Sequence, residues 1–77
     1  MAKLPIISGE KVIKVFKKAG FVIDNIKGDH VVLINKNATS PKIISVPLKK
    51  EIKKGTLMNI IKHSGLSKEE FIALIKK

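Results

Sequence analysis

The spacing of apolar residues changes from helical to alternating at Phe21, and that switch commits the chain to a mixed α+β fold. Upstream, Val12, Val15, Phe16 and Ala19 recur at helical spacing, with Lys11, Lys14, Lys17 and Lys18 elsewhere on the helix. Ser8 carries the short hydroxyl of an N-cap, and Ile7 with Val12 supplies a hydrophobic staple around it. Gly20 is a natural stop, because glycine accepts the left-handed conformation that closes many helices. A first helix from about Gly9 to Ala19 is therefore expected. Beyond it, Phe21 and Ile23 alternate with Val22 and Asp24, which is the period of a strand.

Gly28-Asp29 separates that strand from a second run, His30-Val31-Val32-Leu33-Ile34, so Gly28 reads as the tight turn of a β-hairpin. Asn35 to Lys42 gathers turn formers and a proline, and is expected to be a loop. Ile43-Ile44-Ser45-Val46 gives a third strand, ended by Pro47, which has no N–H to continue a central ladder. A second helix is expected near Gly55 or Thr56, with Leu57, Ile60 and Ile61 on one face and Gly65 as its stop. Ser67 and Glu70 then form a capping box, and Leu66 with Phe71 a staple, so a third helix follows at once.

The order is α-β-β-β-α-α. Residues 1–77 form a single domain, since so short a chain has material for one modest core. A three-stranded antiparallel sheet with two helices on one face has the layered plan of double-stranded-RNA-binding domains. The third, C-terminal helix is an addition to that plan.

Charge narrows the partners. Sixteen basic residues, all lysine, stand against six acidic ones, for a net charge of +10. Such an excess attracts polyanions, and lysine is a mobile point charge suited to phosphates rather than to bidentate base readout. Lysine enrichment also accompanies solubility and thermophily, and composition alone leaves both explanations open. The chain has no cysteine, so disulfides and thiolate metal sites are excluded. No glycine pattern cradles a nucleotide phosphate, and neither histidine has a second ligand beside it, so no cofactor and no metal are expected. No apolar run approaches the ~20 residues of a membrane span. The N-terminal stretch lacks the pattern of a signal peptide, so a cytoplasmic protein without membrane attachment is expected.

Two histidines are available for chemistry. His63 falls in the last turn of the second helix, where the helix dipole alone favours a cationic ring. His30 follows Gly28-Asp29 at the start of the second strand, where a turn hands over to a rigid element. With a reference pKa near ~6.5, an imidazole exchanges protons around neutrality. On the residues alone, His30 is either a catalytic group or an ordinary strand histidine. Lys49, Lys50, Lys53 and Lys54 precede the second helix, whose free N–H groups already favour anions. They are either a phosphate-docking set or a solvated basic segment. Lys27 beside the hairpin and Thr56 at the helix start complete the candidate RNA contacts, with Gly28 and Asp29 as candidate modulators of His30.

Several short motifs occur in one order. Ala19-Gly20-Phe21 follows the first helix, Lys27-Gly28-Asp29-His30 makes the hairpin, and Val46-Pro47 ends the third strand. Lys54-Gly55-Thr56-Leu57, Ile60-Ile61-Lys62 and Ser64-Gly65-Leu66 close the series. With these the sequence resembles the HicA (YcfA-like) toxins, from about Ser8 to at least Leu66. The resemblance implies a double-stranded-RNA-binding-like fold, cleavage of mRNA by a metal-independent endoribonuclease, and a HicB-type antitoxin partner. It also implies that the histidine of the glycine-x-histidine motif, here His30, is catalytic. The family usually has serine where this chain has Asp29, and many members carry a second histidine where it has Leu48. A non-catalytic or attenuated RNA-binding module of the same fold is the alternative.

Overall fold

The computed structural model describes residues 6–36 and 42–76. Its elements are α1 (Gly9–Lys18), β1 (Val22–Lys27), β2 (His30–Asn35), β3 (Lys42–Pro47), α2 (Lys54–Ser64) and α3 (Lys68–Ile75). The strands form one antiparallel sheet in the order β1-β2-β3, so the expected α-β-β-β-α-α plan is present. The expected loop is shorter than the run of turn formers, because Asn35 closes β2 and Lys42 opens β3. Residues 37–41 of that loop lie outside the described residues.

Local chemistry sets the helix ends. The Ser8 hydroxyl accepts from Lys11 N–H at 3.2 Å, satisfying one orphan donor of α1. Gly20 follows with φ +102°, a conformation that side-chain-bearing residues avoid. α2 starts at Lys54, slightly earlier than expected, with Lys53 as its N-cap and no side chain closing that end. Gly65 terminates it in the left-handed region, and the buried Ser64 hydroxyl donates to the Ile61 carbonyl at 2.6 Å. The capping box of α3 is complete: Glu70 N–H donates to the Ser67 hydroxyl, and Ser67 N–H donates to the Glu70 carboxylate.

One face of the sheet carries the core. Val31 and Leu33 from β2 and Ile44 and Val46 from β3 are buried against Val12, Val15 and Phe16 of α1 and Leu57, Ile60 and Ile61 of α2. Phe71 brings α3 into the same core, with its ring centroid 5.3 Å from that of Phe16. Phe21, placed in the first strand by its alternation, instead lies just before β1 and meets Phe16 edge-on at 5.3 Å. An isolated bridge between Ile7 and Ile52 ties the approach to α1 to the approach to α2, with Ile52 N–H donating to the Ile7 carbonyl at 2.9 Å.

β1 departs from simple alternation. All six of its residues are exposed, and the register slips between Ile23 and Asn25, leaving Asp24 as an extra residue. Ile23 and Ile26 pair with the buried Leu33 and Val31, yet Ile26 is 60% exposed, because the strand lies beyond the cover of the helices. Ile26 also belongs to the wide pair next to the hairpin's closing pair, so its N–H faces away from β2. The Asn25 side-chain oxygen accepts that N–H at 2.8 Å.

Candidate functional site

The hairpin sets His30. Lys27 pairs with His30 across a two-residue loop, Gly28-Asp29. Gly28 has φ +55°, whereas no residue other than glycine has positive φ among those described, so Asp29 does not. That sign pattern is the one of a type II′ turn, whose twist matches the strands it joins. His30 is thus the first residue of β2, exposed, and in register with Lys27 on one side and Pro47 on the other. Val31 is buried beneath the helices, so by alternation His30 stands on the opposite, open face of the sheet.

The end of β3 brings the lysines close to this turn. Leu48 N–H donates to the Asp29 carbonyl at 2.6 Å, which holds the chain beyond Pro47 against the hairpin loop. Lys49 then lines two neighbouring clefts. A cleft of about 200 Å³ is formed by Pro47, Lys49, Glu51, Ile52, Lys53 and Thr56. Another, of about 230 Å³, is formed by Ser8, Glu10, Leu48, Lys49 and Lys50. The structure therefore groups Lys49 with Lys53 and Thr56, and Lys49 with Lys50. Lys54 lies on the first turn of α2 and lines neither cleft. Lys27 stands on the other flank of His30.

The two helix N-termini near the site differ in chemistry. At α1, the Ser8 hydroxyl occupies an orphan N–H and Glu10 places a carboxylate in the first turn. At α2, no side chain caps the end and the first turn has no acidic residue. Exposed N–H groups, the positive end of the dipole and Lys53 with Lys54 make α2 the end better suited to a phosphate. Among the described residues, no three His, Cys, Asp or Glu side chains converge as a metal site would require. His63 is exposed on the last turn of α2, as its sequence position suggested, and takes no part in the cluster.

Sequence reasoning missed the contribution of α1. Ser8 and Glu10 line a cleft with Lys49 and Lys50, and Gly9 N–H donates to the Lys49 carbonyl at 2.8 Å. The one local signal was a glycine at the first helical position, where most residues fit a helix better.

Among curated proteins, none matches the sequence significantly. The family described as the HicA toxin of bacterial toxin–antitoxin systems matches residues 9–66 of the 77-residue chain, which spans every element from α1 through α2 and stops short of α3. The motifs, the fold and this match over most of the chain agree, and the protein belongs to the HicA toxin family.

Proposed function

We propose that the protein is an endoribonuclease that cleaves mRNA with His30 as its proton-transfer group, held in check by a HicB-type antitoxin in the cytoplasm. The observation that carries this reading is the position of His30. It is an exposed imidazole at the rigid start of a strand, flanked by Lys27 and by the segment that presents Lys49.

RNA makes the chemistry undemanding. Its own 2′-hydroxyl is the nucleophile, so no metal is required to generate one. As O2′ bonds to phosphorus it gives up its proton, and as the P–O5′ bond breaks the departing oxygen gains one. His30 serves one of these transfers, which is general acid–base catalysis, typically a factor of ~10²–10⁴. Negative charge grows on the non-bridging oxygens meanwhile, and lysine ammonium groups stabilise it. Lys27, in register with His30, and Lys49, two residues beyond its other partner Pro47, are the candidates for this role, with Lys50, Lys53, Lys54 and Thr56 holding the flanking phosphates. The products of this step are a 2′,3′-cyclic phosphate and a 5′-hydroxyl, and attack of water on the cyclic phosphate with rupture of P–O2′ gives a 3′-phosphate.

The alternative, an RNA-binding module without catalysis, is favoured by one feature. Asp29 immediately precedes His30, and among the described residues its carboxylate makes no hydrogen bond that orients the ring. Its charge then repels phosphate without assisting the imidazole.

Cleavage of purified mRNA by the parent protein and by His30→Ala decides between them. Cleavage lost in the variant with RNA affinity retained supports the nuclease. Equal cleavage by both proteins removes His30 from the mechanism, and no cleavage by the parent leaves the binding module.

A further inference from the structure

Gly9 is an unexpected residue for the first turn of a helix, since glycine disfavours helical backbone. Its conformation does not call for glycine, because the positive-φ glycines are Gly20, Gly28 and Gly65. Space does. A methyl group built on Gly9 overlaps the Pro47 carbonyl oxygen and lies 3.1 Å from the Pro47 carbonyl carbon and 3.2 Å from the Leu48 Cα. These are backbone atoms, which cannot swing aside as a flexible side chain can.

The segment that Gly9 touches is held at every residue. Pro47 pairs with His30 at the end of β3. Lys49 N–H donates back to the Pro47 carbonyl at 3.0 Å, closing a three-residue turn. Leu48 N–H, at the centre of that turn, donates to Asp29. Gly9 N–H donates to the Lys49 carbonyl. A continuous path of backbone contacts thus runs from α1 through residues 47–49 to Asp29 and His30, with no long side chain in it.

We propose that Gly9 is a positioning residue for His30: its missing side chain lets α1 seat against the Pro47–Lys49 turn, which fixes the hairpin loop and the imidazole that follows it. The role rests on the reading of His30 as the proton-transfer group. Displacing the turn shifts the ring and the Lys49 ammonium relative to each other, and misplacement on the scale of 1 Å costs a rate of order 10²-fold.

The test compares the parent with Gly9→Ala and with a synthetic chain in which an ester replaces the amide whose N–H belongs to Leu48. The ester deletes the Leu48 donor, weakens the Pro47 carbonyl as the acceptor of Lys49 N–H in the same turn, and leaves Gly9 untouched. Steady-state cleavage of RNA and the NMR signals of the His30 ring are read for each, together with thermal unfolding. In Gly9→Ala we expect kcat to fall by about 10²-fold, KM to stay within about threefold, and the His30 signals to move. The ester moves the same readouts in the same direction. Ser67→Ala, which loosens the distant cap of α3, lowers the unfolding temperature without moving kcat or the ring signals.

Unchanged kcat and unmoved His30 signals in a folded Gly9→Ala overturn the proposal. If Gly9→Ala does not fold, the ester decides, and parent-like kcat there is equally fatal. His30→Ala, measured alongside, separates two failures. Cleavage retained in that variant sinks the catalytic reading and the positioning role with it. Cleavage lost there, but intact in both Gly9→Ala and the ester, sinks the positioning role alone.

Discussion

The backbone N–H of Leu48 donates to the carbonyl of Asp29 over 2.6 Å, fastening the loop before His30 to the residue just past β3. A hairpin loop is ordinarily the mobile tip of a sheet. Here the tip is bonded laterally to a strand end, and that strand end packs on the first residue of α1. The candidate catalytic group thereby gains a defined position without being buried.

Salt dependence reports the lysines. If Lys49, Lys50, Lys53 and Lys54 each displace one counterion from single-stranded RNA, log affinity falls with log salt at a slope of about −2.8. Lys49→Ala brings the slope to about −2.1 with similar loss across RNA sequences. Anisotropy titrations over a range of potassium chloride measure both. A parent slope close to zero is incompatible with phosphate docking by this cluster.

A substrate change tests the nucleophile. An RNA with a single 2′-deoxyribose on the 5′ side of the scissile phosphate is expected to bind normally and to remain intact at that phosphate. Cleavage there at the ordinary rate, mapped on a sequencing gel, means that water or another group attacks instead.

The C-terminal helix belongs to the core although the family match ends before it. Phe71 is fully buried against Phe16, and Phe71→Ala is expected to cost about 3–5 kcal/mol. That is a large share of the stability of so small a domain, at roughly 0.05–0.15 kcal/mol per residue. Urea unfolding of parent and variant gives the difference; a loss below about 1 kcal/mol contradicts the packing of α3 described above.

The cap of α3 allows a finer comparison. Ser67→Ala removes the acceptor of Glu70 N–H and is expected to cost about 1 kcal/mol, whereas Ser67→Gly costs a few tenths. The two variants are compared by the same unfolding assay. Both variants lack the hydroxyl, so equal losses place the whole effect in the deleted hydrogen bond, and a smaller loss with glycine shows that its freer, better-hydrated backbone offsets part of it.

Short-range chemistry made much of this legible in advance. Ser8, Ser67 and Glu70 announced helix starts because a cap is a contact between near neighbours in sequence, and Gly20 and Gly65 announced stops for the same reason. His30 was legible as a strand-start residue beside a tight turn. Phe21 and Asp24 were not read correctly. Phe21 is drawn into the aromatic core, and the register slip at Asp24 interrupts the alternation that would otherwise mark a strand with one buried face. The bridge of Ile7 to Ile52 and the contact of Gly9 with Pro47 leave no periodic trace at all. They join residues far apart in the chain through backbone atoms, which every residue possesses.

β1 shows a wide stretch of isoleucine and valine to solvent on an unpaired edge, the arrangement by which proteins recruit one another into endless ladders. Its irregularities work against that fate. An incoming strand would need the outward N–H of Ile26, which Asn25 already occupies, and a straight register, which Asp24 breaks. The β1 edge is therefore a poor template for the strand-by-strand addition that builds fibrils, despite the apolar side chains it shows to solvent.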